Sequence, residues 1–201
     1  MKVKSNLVNG ILAGISIGLG GAAFLVCENK VIGAFLFGLG LYTILLNNFA
    51  LYTGKICYLY DNKNKEYISM LLLSILGNLI GAVLIGNICA LISPTMQQKA
   101  LDMCNAKLTL DYLVVFLKGF MCDIFVYFAV DNYKKHKSVL GIFLFVTTFI
   151  LCGFEHSIAD MYYFAVSGII SFKACLFILL VILGNSVGGL FIPLLLKIKG
   201  E

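Results

Sequence analysis

Glu155 and His156 stand side by side in the stretch GFEHSIADMYY, Gly153 to Tyr163, inside an otherwise apolar run. An imidazole can pass a proton, or donate and accept hydrogen bonds, near neutral pH. Asp160 follows closely, where a carboxylate also serves as a polar cap on the half-helix that follows. Lys107 opens a later apolar run that contains Lys118 and Asp123, and Asn78 and Asn185 each sit in a Leu-Gly-Asn step. Ionisable groups inside apolar spans are expensive to bury and are functional candidates on that ground. Two bland alternatives stay open: Lys118 reaching water or pairing with Asp123 or Asp111, and His156 as a satisfied core histidine.

Enzyme and metal chemistry fit these residues poorly. Adjacent residues such as Glu155 and His156 point to different helix faces, and the second histidine, His136, lies in a Lys-rich loop. No H-E-x-x-H or nucleophile pattern occurs. Seven cysteines form no C-x-x-C; Cys57, Cys89, Cys122, Cys152 and Cys175 lie in apolar stretches and read as small buried hydrophobes. The expectation is no enzyme, no metal site and no cofactor. A formal charge of +5 does not signal nucleic acid, because no basic stripe is long enough to line a groove.

The elements that must position these groups are membrane helices. Of 201 residues 61% are hydrophobic, and the mean hydropathy is +0.99, so the solvent for most of the chain is lipid. Six spans are predicted: Leu7–Val26, Val31–Tyr60, Tyr67–Ile92, Leu108–Val130, Val139–Ile170 and Phe172–Leu196, joined by short polar pieces that include SPTMQQKALDMCNAK. With an even count, Lys2, Lys4, Lys63, Lys65, Lys134, Lys135, Lys137, Lys197 and Lys199 share one side. The Lys-rich side is assigned to the cytoplasm, with both termini there.

The second and fifth segments are longer than the roughly 20 residues that one crossing needs, and each is interrupted, by NNFALYTGK (Asn47 to Lys55) and by GFEHSIADMYY. Two half-helices joined by a non-helical loop are predicted in each, a loop tolerated only inside protein or beside a wet cavity. LSILGNLIGAVLIG (Leu73–Gly86) repeats as LVILGNSVGGLFIP (Leu180–Pro193), an offset that pairs Asn48 with Glu155 and Phe49 with His156. Spans one to three therefore repeat as four to six, in opposite orientation, with the repeats near residues 1–93 and 107–201 of a single channel domain spanning 1–201. Paired interrupted helices in inverted repeats mark a permeation site near the midplane. Gly77/Gly81 and Gly184/Gly188 allow close helix packing.

GILAGISIGLGG in the first span, LYTGK, AKLTLDYLVVFLKGFMCD, FEHSIADMYY and GNSVGG follow one another in the order and spacing of known motifs. On these the chain resembles the formate/nitrite transporter family over nearly its whole length. That resemblance implies an all-α, aquaporin-like protomer in a homopentamer, each protomer carrying its own pore for small monovalent anions. It maps a cytoplasmic constriction to Phe37, Leu41 and Phe149, and an outer one to Leu51, Tyr52 and Val126. Thr53 and His156 would sit between them, and Lys107, Glu155, Asp123 and Asn185 would form a polar network, with Lys107 raising the anion concentration at the outer mouth. Asp123 stands where the family usually has Asn, and Tyr52 where it usually has Phe. The function expected is a passive channel in the cytoplasmic membrane for hydrosulfide, formate or nitrite, with a proton-coupled secondary transporter as the alternative. Short loops, the lack of an extra domain and the two departures resemble the hydrosulfide branch most.

Overall fold

The computed structural model describes residues 2–200, all-helical apart from turns and connections. The helices are α1 (Lys2–Val26), α2 (Lys30–Asn47), α3 (Tyr52–Ile56), α4 (Lys65–Ile92), α5 (Pro94–Lys107), α6 (Tyr112–His136), α7 (Val139–Leu151), α8 (Ser157–Ser167) and α9 (Phe172–Lys199). Short polar residues start them. Asn29, Asn64, Ser93, Asp111, Ser138 and Ser171 each accept a first-turn backbone N–H at the head of α2, α4, α5, α6, α7 and α9.

Five of these helices, α1, α2, α4, α6 and α9, are long and apolar enough to cross a membrane, and α7 is apolar but shorter. The chain is a multi-pass membrane protein on that basis, and large apolar side chains such as Leu72, Leu113, Leu140 and Leu183 cover its outside. No single helix matches the predicted fifth span, which is divided between α7 and α8. Cys152 closes α7, and Gly153, at φ 68°, turns the chain back before α8 begins. The second segment divides likewise. Asn48 closes α2 in the left-handed conformation (φ 55°), and Phe49–Leu51 lead into α3.

Two expectations need correction. SPTMQQKALDMCNAK is a helix rather than a loop. Ser93 caps it, Pro94 occupies the first turn, and Met96, Ala100 and Cys104 are buried at intervals of four, so α5 lies with one stripe inward. Lys107 therefore ends α5 instead of opening the next span. Of the five cysteines read as buried, Cys57, Cys89 and Cys122 are, whereas Cys152 and Cys175 are exposed on the apolar surface.

α1 packs against α4 and α2, and α6 against α9 and α7. Glycine makes this approach possible. A methyl group at Gly81 would stand 2.1 Å from the Ile11 carbonyl oxygen of α1, and one at Gly188 would stand 2.0 Å from that of Phe120 in α6. The short helices α3 and α8 fill the space between these layers: α3 touches α4, α6 and α9, and α8 touches α1, α4, α5 and α9.

Candidate functional site

Three spaces adjoin one another at the breaks. A cavity of about 320 Å³ is bordered by Lys107, Lys118, Glu155, Phe37, Phe149 and His156. A second, of about 190 Å³, is bordered by Leu41, Leu51, Asn48, Lys55 and Lys134. Between them lies a void of about 10 Å³ that shares Phe37, Phe149 and His156 with the first and Leu41 and Leu51 with the second, and adds Val126. The rings of Phe37 and Phe149 meet edge-on with centroids 6.4 Å apart, and Phe149 lies over the His156 ring at 6.1 Å. Apolar side chains thus separate the two cavities beside one imidazole.

This arrangement regroups the expected constrictions. Phe37 and Phe149 border the same cavity as Lys107, so they belong to the Lys107 side. Leu41 falls with Leu51 on the side of Lys134. The direction of α2 explains the split, since Phe37 and Leu41 lie one turn apart along it. Tyr52 borders none of these three spaces. Its hydroxyl lies 2.8 Å from the Ser186 Oγ on α9, and its ring packs beside Ile56, Cys57 and Leu71.

His156 and Thr53 are brought together. His156 is the N-cap of α8, where its Nδ1 accepts the Ala159 N–H at 3.2 Å. Its Nε2 lies 3.0 Å from the Thr53 Oγ1 in α3. Both side chains are buried, with His156 4% exposed and Thr53 0%.

Two asparagines hold the breaks in matching ways. The Tyr52 N–H donates to Asn78 Oδ1 at 2.9 Å, and Asn78 Nδ2 donates to the carbonyls of Gly10 at 2.8 Å and Ala50 at 2.9 Å. The Ser157 N–H donates to Asn185 Oδ1 at 2.9 Å, and Asn185 Nδ2 donates to the carbonyls of Gly119 at 2.8 Å and Glu155 at 3.0 Å. The bonds align Ala50 with Glu155 and Tyr52 with Ser157. The constant offset paired Asn48 with Glu155 instead, because the chain between break and asparagine is two residues longer in the second half. Asn78 was noted only as part of a repeated step; its role needed the backbone it brackets.

The charged groups separate into two places. The ammonium of Lys107 is ion-paired with Glu155 and lies 3.0 Å from Asp160 Oδ1. Burial works against this ammonium, but the Asp160 and Glu155 carboxylates outweigh it and hold Lys107 protonated above the ordinary lysine range. Asp160 is thus a member of the network that its reading as a cap had hidden. Asp123 is not in it. It is fully buried on α6, no described residue hydrogen-bonds either carboxylate oxygen, and a methyl group at Gly189 would stand 2.4 Å from Oδ2. Lys118 pairs with neither Asp123 nor Asp111; its side chain borders the first cavity and its carbonyl accepts the Glu155 N–H at 3.3 Å.

Comparison with known proteins places this geometry. No curated protein matches the chain. A solved structure described as an "FNT family ion channel" superposes with a TM-score of 0.82 at 22% identity, over 99% of this chain and 89% of that one. A second, described as a "Pentameric formate channel with formate bound", superposes with a TM-score of 0.78 at 23% identity, over 98% and 97%. At this identity the two share the fold. The sequence model of the formate/nitrite transporter family matches residues 1–198, and the chain belongs to that family.

Proposed function

We propose that the chain forms a passive channel for small monovalent anions of weak acids, with formate, nitrite and hydrosulfide as its substrate class. Each protomer of a homopentamer carries one pore, in the cytoplasmic membrane. The observation that carries this reading is the chamber at His156, closed by Phe37 and Phe149 towards one cavity and by Leu41, Leu51 and Val126 towards the other. An apolar slit strips water from an ion, which is costly for a charge and far less so for a neutral weak acid. His156 borders that stretch and can donate or accept a hydrogen bond there, with Thr53 Oγ1 behind it at 3.0 Å from Nε2.

The same reading makes six crossings of two inverted halves. α1, α2–α3 and α4 correspond to α6, α7–α8 and α9, an assignment supported by the paired asparagine brackets. Lys63, Lys65, Lys134, Lys135 and Lys137 then face the cytoplasm together with the termini, and the cavity beside Lys107 faces out. Neither Tyr52 nor Asp123 borders the three spaces, so these two departures do not choose among the anions.

Purified protein in liposomes, challenged in parallel with formate, nitrite, hydrosulfide and chloride, tests the proposal. A channel gives current that reverses at the anion's equilibrium potential. Flux that instead follows an imposed proton gradient identifies a proton-coupled transporter, and no flux of any of the four overturns both.

A further inference from the structure

The two cavities differ in charge balance. The first contains Lys107 and Lys118, but also Glu155 and Asp160, so its charges cancel. The second is bordered by Lys55, Lys134 and Lys137 and, among the described residues, by no carboxylate. Asp131, the acid nearest Lys134 along α6, is ion-paired with Lys135 at 2.9 Å. Lys134 lies 3.2 Å over the Tyr58 ring, and Lys137 5.3 Å from that of Tyr133. Aromatic faces hold these cations in place without neutralising them. Lys134 and Lys137 close α6, where the helix dipole also favours positive charge. Like charges gathered in a concavity with low-dielectric walls concentrate anions.

From this we infer that the Lys55–Lys134–Lys137 cavity is a binding site for small oxyanions, and that a tetrahedral dianion held there blocks the pore. The inference rests on the channel reading. A monovalent anion gathered by three ammonium groups can shed its water and enter the slit at Leu41 and Leu51. A dianion such as sulfate or phosphate binds the same lysines more strongly, because the attraction doubles with its charge. It is then refused by the slit, where no fixed cation among the described residues replaces the water its two charges hold. Lipid phosphate carries the same chemistry, so an anionic headgroup is a competing occupant of the site.

Single-channel recording in planar phosphatidylcholine bilayers, with sulfate or inorganic phosphate added to one chamber at a time, tests it. Block of the formate current is expected from one chamber only. Lys55→Gln and Lys134→Gln each raise the half-blocking concentration by about tenfold, the weight of one charged hydrogen bond. Phosphatidylglycerol in the bilayer weakens the block if headgroups compete, and leaves it unchanged if free oxyanions alone occupy the site. Equilibrium binding of labelled sulfate to the purified protein, wild type against Lys55→Gln/Lys134→Gln, keeps the inference testable should no current be found. Equal block from both chambers, equal block in the variants, or equal sulfate binding overturns it and leaves the lysines as helix caps.

Discussion

Thr53 Oγ1 lies 3.0 Å from His156 Nε2, while the opposite ring nitrogen already accepts the Ala159 N–H. With Nδ1 engaged as an acceptor, the neutral ring carries its proton on Nε2 and donates it to the Thr53 oxygen. The Thr53 hydroxyl hydrogen is then not spent on the His156 ring. A second proton on the ring would have to displace Ala159 from Nδ1, so the cap of α8 and the protonation of this imidazole are coupled.

Replacing His156 by Phe should abolish formate flux and leave an assembled protein, since the ring volume is retained and the cap bond alone is worth about 1 kcal/mol. Size-exclusion chromatography paired with liposome flux checks both halves. Flux at the wild-type rate removes His156 from the mechanism. Thr53→Val, which keeps the shape and loses the hydroxyl, should lower flux about tenfold for a hydrogen bond worth near 1.4 kcal/mol.

Widening the slit should cost selectivity before it costs flux. Phe149→Ala removes a ring that borders both the first cavity and the central void. Chloride, a strong-acid anion expected to pass poorly through an apolar slit, should gain at least about tenfold, one decade for each 1.4 kcal/mol taken off its desolvation barrier. Reversal potentials in mixed chloride and formate measure the ratio.

Lys107 stands between two carboxylates, so Lys107→Met leaves Glu155 and Asp160 facing each other without a cation. Breaking a buried pair in this way costs about 3–5 kcal/mol. Thermal unfolding in detergent should show that loss, and Lys107→Met/Glu155→Gln/Asp160→Asn should recover most of it. A triple variant no more stable than the single one would assign the loss to packing instead of charge.

Asp123 is fully buried, and no described residue hydrogen-bonds either of its carboxylate oxygens. Asn has the same shape and no charge to desolvate, so Asp123→Asn should fold at least as well and conduct normally. Gly188→Ala should do the opposite. Its methyl group would stand 2.0 Å from the Phe120 carbonyl oxygen, forcing α6 and α9 apart at a cost of about 1–3 kcal/mol. Melting temperatures of the two variants separate a tolerated charge removal from a packing fault.

The ends of α2 and α7 fall at the polar residues and glycine of NNFALYTGK and GFEHSIADMYY, because such residues carry their own physical cost in apolar runs. The repeated Leu-Gly-Asn step pointed to the brackets for the same reason. α5 was missed because low overall hydrophobicity outweighed the Ser93–Pro94 start and the fourfold spacing of Met96, Ala100 and Cys104, which together spell a one-sided helix. Phe37 and Leu41, grouped together by the resemblance, border different cavities, because a resemblance assigns a residue to a segment and not to one face and depth of it. The direction of α2 already ordered Phe37 and Leu41. Nothing local marked Tyr52 as turned towards Ser186, because its partner lies more than a hundred residues away.

Each interruption is riveted by a buried amide that holds it through two bonds and ties it to a neighbouring long helix through a third. A frame fixed in this way has little spare backbone travel. With the backbone so held, side-chain torsion at Phe37 and Phe149 is a lighter motion than the collective hinge movements of microseconds to milliseconds.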